Sequence, residues 1–421
     1  MASKLQDLIN RLCPNGVEYR KLGEIATIER GNGLQKSDFK ASGIPCIHYG
    51  QLYTKLNTVA DSALTFVDEK TAANLKSLNH GDLLMAVTSE NVEDVCKCIA
   101  WLGNDGVVVG GHTAIIRHAQ NAKFLSYWFQ TQDFFAQKKK LAHGTKVIEV
   151  TPQRLTDIVI PVPPLEVQGE IVQILDNFAE LTAELTAELE KRKKQYEHYR
   201  RALLCGGESS ELRVESSGWP MVKLGEIGRV AMCKRILKQE TSSTGDIPFY
   251  KIGTFGKNAD AYISKTKFEE YRAKYSYPNK GDVLISAAGT IGRAIVYDGE
   301  PAYYQDSNIV WLEHDEQKVL NRFLYYCYQL NPWHVSVGGT IPRLYNDNIL
   351  KSEIPLPPLA EQRRIVSILD RFDRLCNDLT SGLPAEIAAR KKQYAYYRDR
   401  LLDFKPAPKG CGAASNRKGA A

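Results

Sequence analysis

Four short polar segments contain the residue types that contact a polyanion such as a nucleic acid. Glycine lets the main chain approach a phosphate, hydroxyl and amide groups hydrogen-bond to it, and arginine can pair bidentately with guanine. The segments are Thr88–Asn91, Gly144–Lys146, Gly289–Arg293 and Gly339–Arg343. The residues selected within them are Ser89, Asn91, Gly144, Thr145, Lys146, Thr290, Arg293, Gly339, Thr340 and Arg343. The competing interpretation is that these are ordinary turns with solvated charges.

Two basic clusters with interleaved tyrosines form a second set of candidates. Aromatic and arginine side chains dominate the binding energy of protein interfaces, so we predict that these clusters dock a protein partner. Contact with DNA phosphates and a merely solvated helix face are the alternatives. The residues are Arg192, Lys193, Tyr196, Tyr199, Arg390, Lys391, Tyr394 and Tyr397.

The sequence lacks the motifs of nucleotide-dependent or methyl-transfer catalysis. There is no Gly-x4-Gly-Lys-Ser/Thr phosphate loop, and no glycine-rich cofactor loop paired with an Asn/Asp-Pro-Pro-Tyr/Phe motif. Asn331-Pro332-Trp333 fails at its third position and is better explained as a turn at a helix end. The eight histidines show no metal-binding spacing, and Cys96-Lys97-Cys98 lacks a second ligand pair. We predict no catalytic residue and no metal site.

Length and composition set the outer limits of the fold. A chain of 421 residues exceeds the roughly 250–300 residues of a single core, which predicts at least two domains. Nothing approaches the roughly 18 apolar residues of a membrane span, and the first residues do not resemble a signal peptide. Nine irregularly spaced cysteines fit reduced thiols, so we expect a cytoplasmic protein. The net charge of +6 permits a polyanionic partner without requiring one.

An internal repeat organises the chain. Lys21–Ile25 returns as Lys223–Ile227, and Ile160–Leu165 returns as Ile354–Leu359. Further matches between these keep the same order, which indicates a tandem duplication. Each copy is a globular segment followed by a long helix, and the middle of the globular segment has diverged most. A shared frame with a divergent interior suggests one scaffold that recognises two targets.

The globular copies are predicted to be mixed α/β, because short β-branched runs alternate with turn residues and with helical stretches. Strands are expected at 106–109, 282–286 and 294–297, and helices at 123–140 and 318–330. The predicted segments are an N-terminal helical segment (1–16), the first globular domain (17–164), a long helix (165–205), a linker (206–218), the second globular domain (219–358), a second long helix (359–404) and a disordered tail (405–421).

Each long helix carries one apolar stripe of about 40 residues, or ~60 Å. That is more than a compact domain of this size can cover, so the two helices are predicted to pair as an antiparallel coiled coil with pseudo-twofold symmetry. Gly382 and Pro384 interrupt the second stripe. A Thr-Ala-Glu-Leu unit repeats within 182–189, and the second copy is four residues longer between equivalent points. Since four helical residues add ~6 Å, we interpret the helices as a ruler with quantised length.

Taken together, Gly144-Thr145, the Ile160–Leu165 motif, the Arg192–Tyr196 block and their tandem order resemble the specificity subunits of Type I restriction–modification systems. The Thr-Ala-Glu-Leu repeat resembles the IC subgroup. The resemblance covers nearly all of the chain from Leu5 to Phe404. It implies two target-recognition domains, each of which recognises half of an asymmetric bipartite site in double-stranded DNA, held apart by the helices.

The resemblance also implies two modification subunits, which methylate adenine with S-adenosylmethionine, and two motor-nuclease subunits, which use ATP and Mg²⁺. On this view the chain itself is non-catalytic and holds no cofactor, although the holoenzyme is an ATP-dependent deoxyribonuclease and adenine-N6 methyltransferase. Two rival hypotheses remain. One is a self-contained enzyme with unrecognised motifs, and the other is a scaffold whose domains bind proteins but no DNA.

Overall fold

The computed structural model describes residues 2–205, 218–333 and 343–408, and the chain divides into two compact units. Unit 1 comprises 1–185 and 387–421, and unit 2 comprises 186–386. Unit 1 therefore combines the first globular copy with the C-terminal part of the chain. The boundary after Leu185 falls inside one long helix.

Unit 1 contains most of the short elements. Its helices are α1 (Ala2–Leu12), α2 (Leu22–Ile25), α3 (Tyr49–Thr54), α4 (Glu69–Ala72), α5 (Ala122–Trp128), α6 (Gln132–Leu141), α7 (Pro152–Leu155) and the first part of α8 (Leu165–Cys205). Its strands are β1 (Tyr19–Lys21), β2 (Ala26–Arg30), β3 (Ile44–Ile47), β4 (Val59–Ala60), β5 (Thr65–Val67), β6 (Lys76–Leu78), β7 (Leu83–Ala86), β8 (Thr88–Ser89), β9 (Cys98–Trp101), β10 (Val107–Val109), β11 (Thr113–His118), β12 (Ile148–Glu149) and β13 (Val159–Pro161).

The core of unit 1 is built around a five-stranded sheet with the order β2-β11-β7-β9-β4. All four residues of β7 are buried, as expected for a strand covered on both faces. Leu83 and Met85 pack with residues of α5 and α8, whereas Leu84 and Ala86 pack with residues of the second sheet, β5-β3-β10-β6. The consecutive apolar residues of β7 thus join two layers of the core.

Unit 2 has the same plan with fewer strands. Its helices are α9 (Leu224–Ile227), α10 (Lys265–Lys274), α11 (Asn321–Tyr328), α12 (Asn346–Lys351) and α13 (Leu359–Asn377), with the second part of α8. Its strands are β14 (Met221–Lys223), β15 (Gly228–Ala231), β16 (Ile247–Tyr250), β17 (Tyr262–Ile263), β18 (Val283–Ser286), β19 (Ala294–Val296), β20 (Tyr303–Tyr304), β21 (Ile309–His314) and β22 (Glu353–Pro355). The sheets have the orders β15-β21-β18-β19, β17-β16-β20 and β14-β22.

The duplication is visible in matched hydrogen bonds where each helix leaves its domain. In unit 1 the Tyr127 hydroxyl donates to Asp176 on α8 at 2.5 Å, and Lys123 pairs with the same carboxylate at 2.7 Å. In unit 2 Tyr326 donates to Asp370 on α13 at 2.5 Å, and Arg322 pairs with it at 2.6 Å. The same three-residue anchor therefore fixes both helices.

The long helices pair within each unit. In unit 1, Phe178 of α8 stacks on Tyr397 of the last helix, α14 (Leu383–Leu401), with ring centroids 5.4 Å apart. In unit 2, Phe372 of α13 lies 5.4 Å from Tyr199 of α8. One turn further along α13, burial raises the pKa of the Cys376 thiol while the charges of Lys193 and Arg192 oppose that shift. These contacts show that α13 runs antiparallel to the second part of α8.

The second long helix is broken, and this corrects part of the ruler hypothesis. Residues 378–382 are not helical, so the four additional residues of the second copy do not lengthen a helix. Asp378 accepts hydrogen bonds from Thr380 and Ser381, which closes the turn. A Cβ at Gly382 would lie 2.5 Å from the carbonyl oxygen of Arg374, so the turn requires glycine. The unbroken helix is α8, whose 41 residues span ~60 Å.

The predicted mixed α/β fold, with two globular copies and long paired helices, is confirmed. The predicted start of the disordered tail, at residue 405, is wrong. The main chain of Val17 donates to Lys405 at 2.8 Å and accepts from Ala407 at 2.9 Å. Residues 409–421 and most of the predicted linker, 206–217, lie outside the described residues. Within the described part of the chain, no helix is both long enough and apolar enough to cross a membrane.

Candidate nucleic-acid interface

The two predicted loops of unit 1 lie side by side. Strands β8 and β12 pair antiparallel, with Ser89 opposite Ile148 and Thr88 opposite Glu149. This pairing joins the strands from which the two loops extend, although the loops are far apart in the sequence. The structure therefore brings together the two segments that carry the five candidates of the first domain.

Gly144, Thr145 and Lys146 form the exposed tip of a hairpin. His143 and Glu149 exchange main-chain hydrogen bonds of 3.0 and 2.8 Å below it. Gly144 has φ of +108°, and a Cβ there would lie 2.0 Å from the carbonyl oxygen of Val147. Only glycine fits this turn, which directs Thr145, Lys146 and Val147 into solvent.

Asn91 has a structural task that competes with base recognition. Its amide donates to the Asp94 carboxylate at 2.8 Å, and its carbonyl accepts from the Asp94 main-chain NH at 2.8 Å. Both ends of the side chain are thus used to shape the loop. The side chain of Lys146 is exposed and makes no ion pair within the described residues. Lys146 is therefore better placed than Asn91 to contact a ligand.

Three residues that the sequence analysis did not select join this surface. Arg30 donates to the Gly111 carbonyl at 2.9 Å and to the Glu149 carboxylate at 2.7 Å. His112 forms a 3.0 Å hydrogen bond with the Thr88 hydroxyl, and the exposed ring of Tyr49 lies 4.9 Å from the His112 ring. The residues just before β11, Gly111 and His112, come close to these loops only in the folded chain. No local sequence pattern could therefore have identified the three residues.

In unit 2 the hairpin between β18 and β19 carries two of the candidates. Thr290 lies at its exposed tip. Arg293 is less accessible, and its Nη1 donates to the Phe255 carbonyl at 2.8 Å. Gly292 has φ of +80°, and a Cβ there would lie 2.3 Å from Nε1 of Trp333. The hairpin is therefore held closely against the domain, with Thr290 as its free end.

Arg343 lies beside this hairpin. Its Nη2 donates to the Ser307 carbonyl at 2.7 Å, and the next residue, Leu344, donates to the Ala287 carbonyl at 2.8 Å. Gly339 and Thr340 lie outside the described residues. The Asn331-Pro332-Trp333 motif follows α11, and Asn331 has φ of +53°, so the predicted turn at a helix end is confirmed.

The two units share one frame at these loops. Val87 donates to the carbonyl of His112 and accepts from the main-chain NH of Val150. Ala287 makes the same two bonds, to Asn308 and from Leu344. The loops that leave Val87 and Ala287 are therefore equivalent, yet one reads Thr-Ser-Glu-Asn and the other Ala-Gly-Thr-Ile.

The eight predicted docking residues divide into buried and exposed groups. Tyr196 is only 5% exposed and packs on Phe372, so its predicted contact with a partner protein does not fit the structure. The same alternation of tyrosine and basic residues suits the interior of a helix pair. Tyr199, Tyr394 and Tyr397 also pack within their units, on Phe372, Tyr127 and Phe178.

The basic members of the set remain accessible. Arg192 donates to Glu188 at 2.7 Å and to Gln195 at 3.1 Å. Arg390 repeats the second bond, to Gln393, at 3.2 Å. Lys193 lies 3.9 Å from Glu190, and Lys391 is exposed. These four cations, together with Tyr397, which is 38% exposed, form the part of the predicted docking surface that a partner could reach.

Comparison with known proteins extends this picture. Residues 14–192 and 216–389 match the family model of the Type I restriction modification DNA specificity domain. A putative type I restriction enzyme specificity subunit of Haemophilus influenzae is 50% identical over 402 residues, 92% of this chain and 96% of that protein. The EcoR124I/EcoR124II specificity subunit of Escherichia coli is 33% identical over 299 residues, covering 67% and 70% of the two chains.

Solved structures agree at the level of the fold. A chain from work on complex assembly and conformational transition of the type I restriction–modification system superposes with a TM-score of 0.59 at 19% identity, covering 92% of this chain and 98% of that one. The S subunit from M. genitalium gives a TM-score of 0.52 at 16% identity, covering 92% and 96%. Because the family model matches two segments that together cover most of the chain, this protein belongs to the family of Type I restriction–modification specificity subunits.

Proposed function

We propose that this chain is the DNA-recognition subunit of a Type I restriction–modification complex, and that each unit recognises one half of an asymmetric bipartite site in double-stranded DNA. The observation that carries the proposal is the shared frame at Val87 and Ala287, which presents different loops from equivalent positions. Two copies of one scaffold with different side chains would recognise two different half-sites. The description of the matching family as a DNA specificity domain supports the same function.

The helices would then set the distance between the half-sites. The 41 residues of α8 form one unbroken helix, and the anchors at Asp176 and Asp370 tie each long helix to its own globular domain. Because a helix resists changes in length, the spacer would be recognised by its extent and not by its sequence.

The chemistry would belong to other subunits. We propose that two modification subunits dock near the exposed cations Arg192, Lys193, Arg390 and Lys391 and methylate adenine with S-adenosylmethionine. Two motor-nuclease subunits would use ATP and Mg²⁺. The assembly of type I systems described for a structural neighbour is consistent with such partners. This chain would supply recognition alone.

Selection from a random-sequence DNA library by the chain assembled with its modification subunit would test the proposal. The expected result is a two-part motif with a fixed, unspecified spacer, protected by the complex in a footprint. Retention of DNA without any enriched motif, by a complex that assembles and binds S-adenosylmethionine, would instead favour the scaffold hypothesis.

A further inference from the structure

An exposed arginine of unit 2 has no counterpart at the equivalent position of unit 1. Each unit has a short 3₁₀ turn, Lys36–Asp38 and Lys238–Glu240, whose last carboxylate accepts from the main-chain NH just before the turn at 2.7 Å. Counting back from these turns, Gly33 in unit 1 corresponds to Arg235 in unit 2. A Cβ at Gly33 would meet open space, and the Arg235 side chain is 66% exposed.

Arg235 is held in one orientation by an acidic neighbour. Its Nε donates to Oδ2 of Asp306 at 2.8 Å, and the Asp306 side chain is only 17% exposed. Neither terminal nitrogen of Arg235 has a hydrogen-bond partner among residues 2–205, 218–333 and 343–408. The guanidinium group is therefore fixed on one edge while its two Nη atoms remain available to a ligand.

The turn that carries Asp306 is itself fixed. Gln305 donates to the Tyr250 carbonyl at 2.9 Å, and its side chain accepts from the main chain of Ile252 at 3.0 Å. Ser307 adopts φ of +54°, a strained value for a residue with a side chain, and its carbonyl accepts from Arg343. Several separate contacts thus keep Asp306 in place before any ligand binds.

Arg235 also lies near the base of a candidate recognition hairpin of its own unit. It lines a cleft of about 540 Å³ together with Lys238, Asp306 and Asn308. The carbonyl of Asn308 accepts from Ala287 at 2.7 Å, where the hairpin that carries Thr290 begins. An arginine at this rim and the hairpin would therefore meet the same stretch of a bound duplex.

We propose that Arg235 is a specificity-determining residue of unit 2 and that it recognises a guanine in the half-site bound there. Two directed N–H groups match the O6 and N7 acceptors of guanine in the major groove. Asp306 neutralises part of the charge, which weakens attraction to a phosphate but keeps the direction of the donors. Gly33 makes this contact impossible in unit 1. This inference rests on the proposed DNA-recognition function.

The test compares Arg235→Ala, Arg235→Lys and the wild-type chain, each assembled with its modification subunit. The control is Arg229→Ala, which removes an exposed arginine paired with Glu313 at 2.8 Å near the opposite end of β21. Motif mapping first identifies the wild-type site. Competition binding then measures how strongly each complex discriminates the cognate duplex from every single-base-pair substitution.

We expect Arg235→Ala to lose roughly 5- to 150-fold of discrimination at one G·C pair in one half-site, and Arg235→Lys to recover only part of it. The other half-site and the Arg229→Ala complex should keep wild-type discrimination. Two results would overturn the assignment while leaving the proposed function intact. One is that Arg235→Ala discriminates between base pairs as well as the wild type at every position. The other is that it loses affinity equally for all DNA sequences. A wild-type complex without any motif would overturn the proposed function itself.

Discussion

At the scale of single residues, Lys138 shows how unit 1 shapes a candidate recognition loop. The side chain is buried, and its ammonium group donates to the carbonyl oxygens of Glu93 and Val95 at 2.8 and 2.6 Å. These carbonyls follow Ser89 and Asn91, so the lysine closes the loop from inside the domain. Burial lowers the pKa of Lys138, because the charged form loses its hydration.

Lys138→Met should destabilise the protein by about 2–4 kcal/mol near neutral pH, because two buried carbonyl groups lose their donor. Urea unfolding of the full chain measures this change. Lys139→Met, on the exposed face of the same helix, is the matched control and should leave the midpoint near its wild-type value.

The lowered pKa of Lys138 adds a dependence on pH. The unfolded chain binds this proton more tightly than the folded chain does. The contribution of Lys138 to stability should therefore begin to rise as the pH passes the lowered pKa of the folded state. It should reach its full value near pH 10.5, the ordinary pKa of lysine. The stability difference between wild type and Lys138→Met should therefore widen at alkaline pH. A difference that stays constant across that range would show that the lysine remains charged in the folded protein.

Some residues of the candidate site could be identified from the sequence and others could not. Gly144 and Gly292 could be singled out from sequence because glycine beside polar residues is a local pattern. Arg30, His112 and Arg235 could not, because the partner of each side chain comes from a distant segment of the chain. Asn91 was selected for its residue type, and only the structure shows that Asp94 uses both ends of its side chain.

At the scale of elements, the long helices were predictable in kind but not in detail. The apolar stripe after each Pro-Pro motif identified α8 and the α13–α14 segment. A stripe does not show whether a tyrosine faces another helix or a partner protein, which is why Tyr196 was misassigned. Nor does it show that Val17 pairs with 405–407, because local patterns carry no information about distant partners.

Insertion of one Thr-Ala-Glu-Leu unit after Leu189 tests the role of α8 as a spacer. Four residues lengthen the helix by ~6 Å, close to two base-pair steps, so the spacer of the recognised site should change by roughly one or two base pairs. The sequences of both half-sites should stay the same. Four residues inserted into the predicted linker, 206–218, form the control and should leave the spacer unchanged.

Motif mapping of the two insertion variants gives the readout. A spacer that is identical in the wild type and the α8 insertion variant would show that helix length does not set the separation of the half-sites. The break at 378–382 makes α8 the informative place for the insertion, since it is the unbroken helix of the pair.

At the scale of the whole molecule, the exposed basic residues near the helix ends are expected to hold the complex together. Reversing the charges of Arg192 and Lys193 to glutamate should weaken association with the modification subunit by roughly tenfold or more, because acidic partner surfaces would be repelled. The fold should persist, since both side chains are partly exposed and their ion pairs, with Glu188 and Glu190, lie within α8. Sedimentation or native mass spectrometry of mixed subunits measures the change.

Lys139 and Lys140 offer a matched control on α6. They are a pair of exposed adjacent lysines outside the proposed docking surface, and their reversal to glutamate should leave assembly unchanged. Equal assembly of the Arg192→Glu/Lys193→Glu chain and the wild type would remove the proposed docking role of this cluster. DNA recognition by the two units would not be affected by that result.

The central claim is that each unit recognises one half of a bipartite DNA site. Mapping of methylated adenines across a host genome, after co-expression of this chain with its modification subunit, tests it most directly. We predict one asymmetric motif with two specified parts separated by a spacer of fixed length. Methylation of a single continuous motif, or the absence of any motif from a complex that assembles and binds S-adenosylmethionine, would contradict the account.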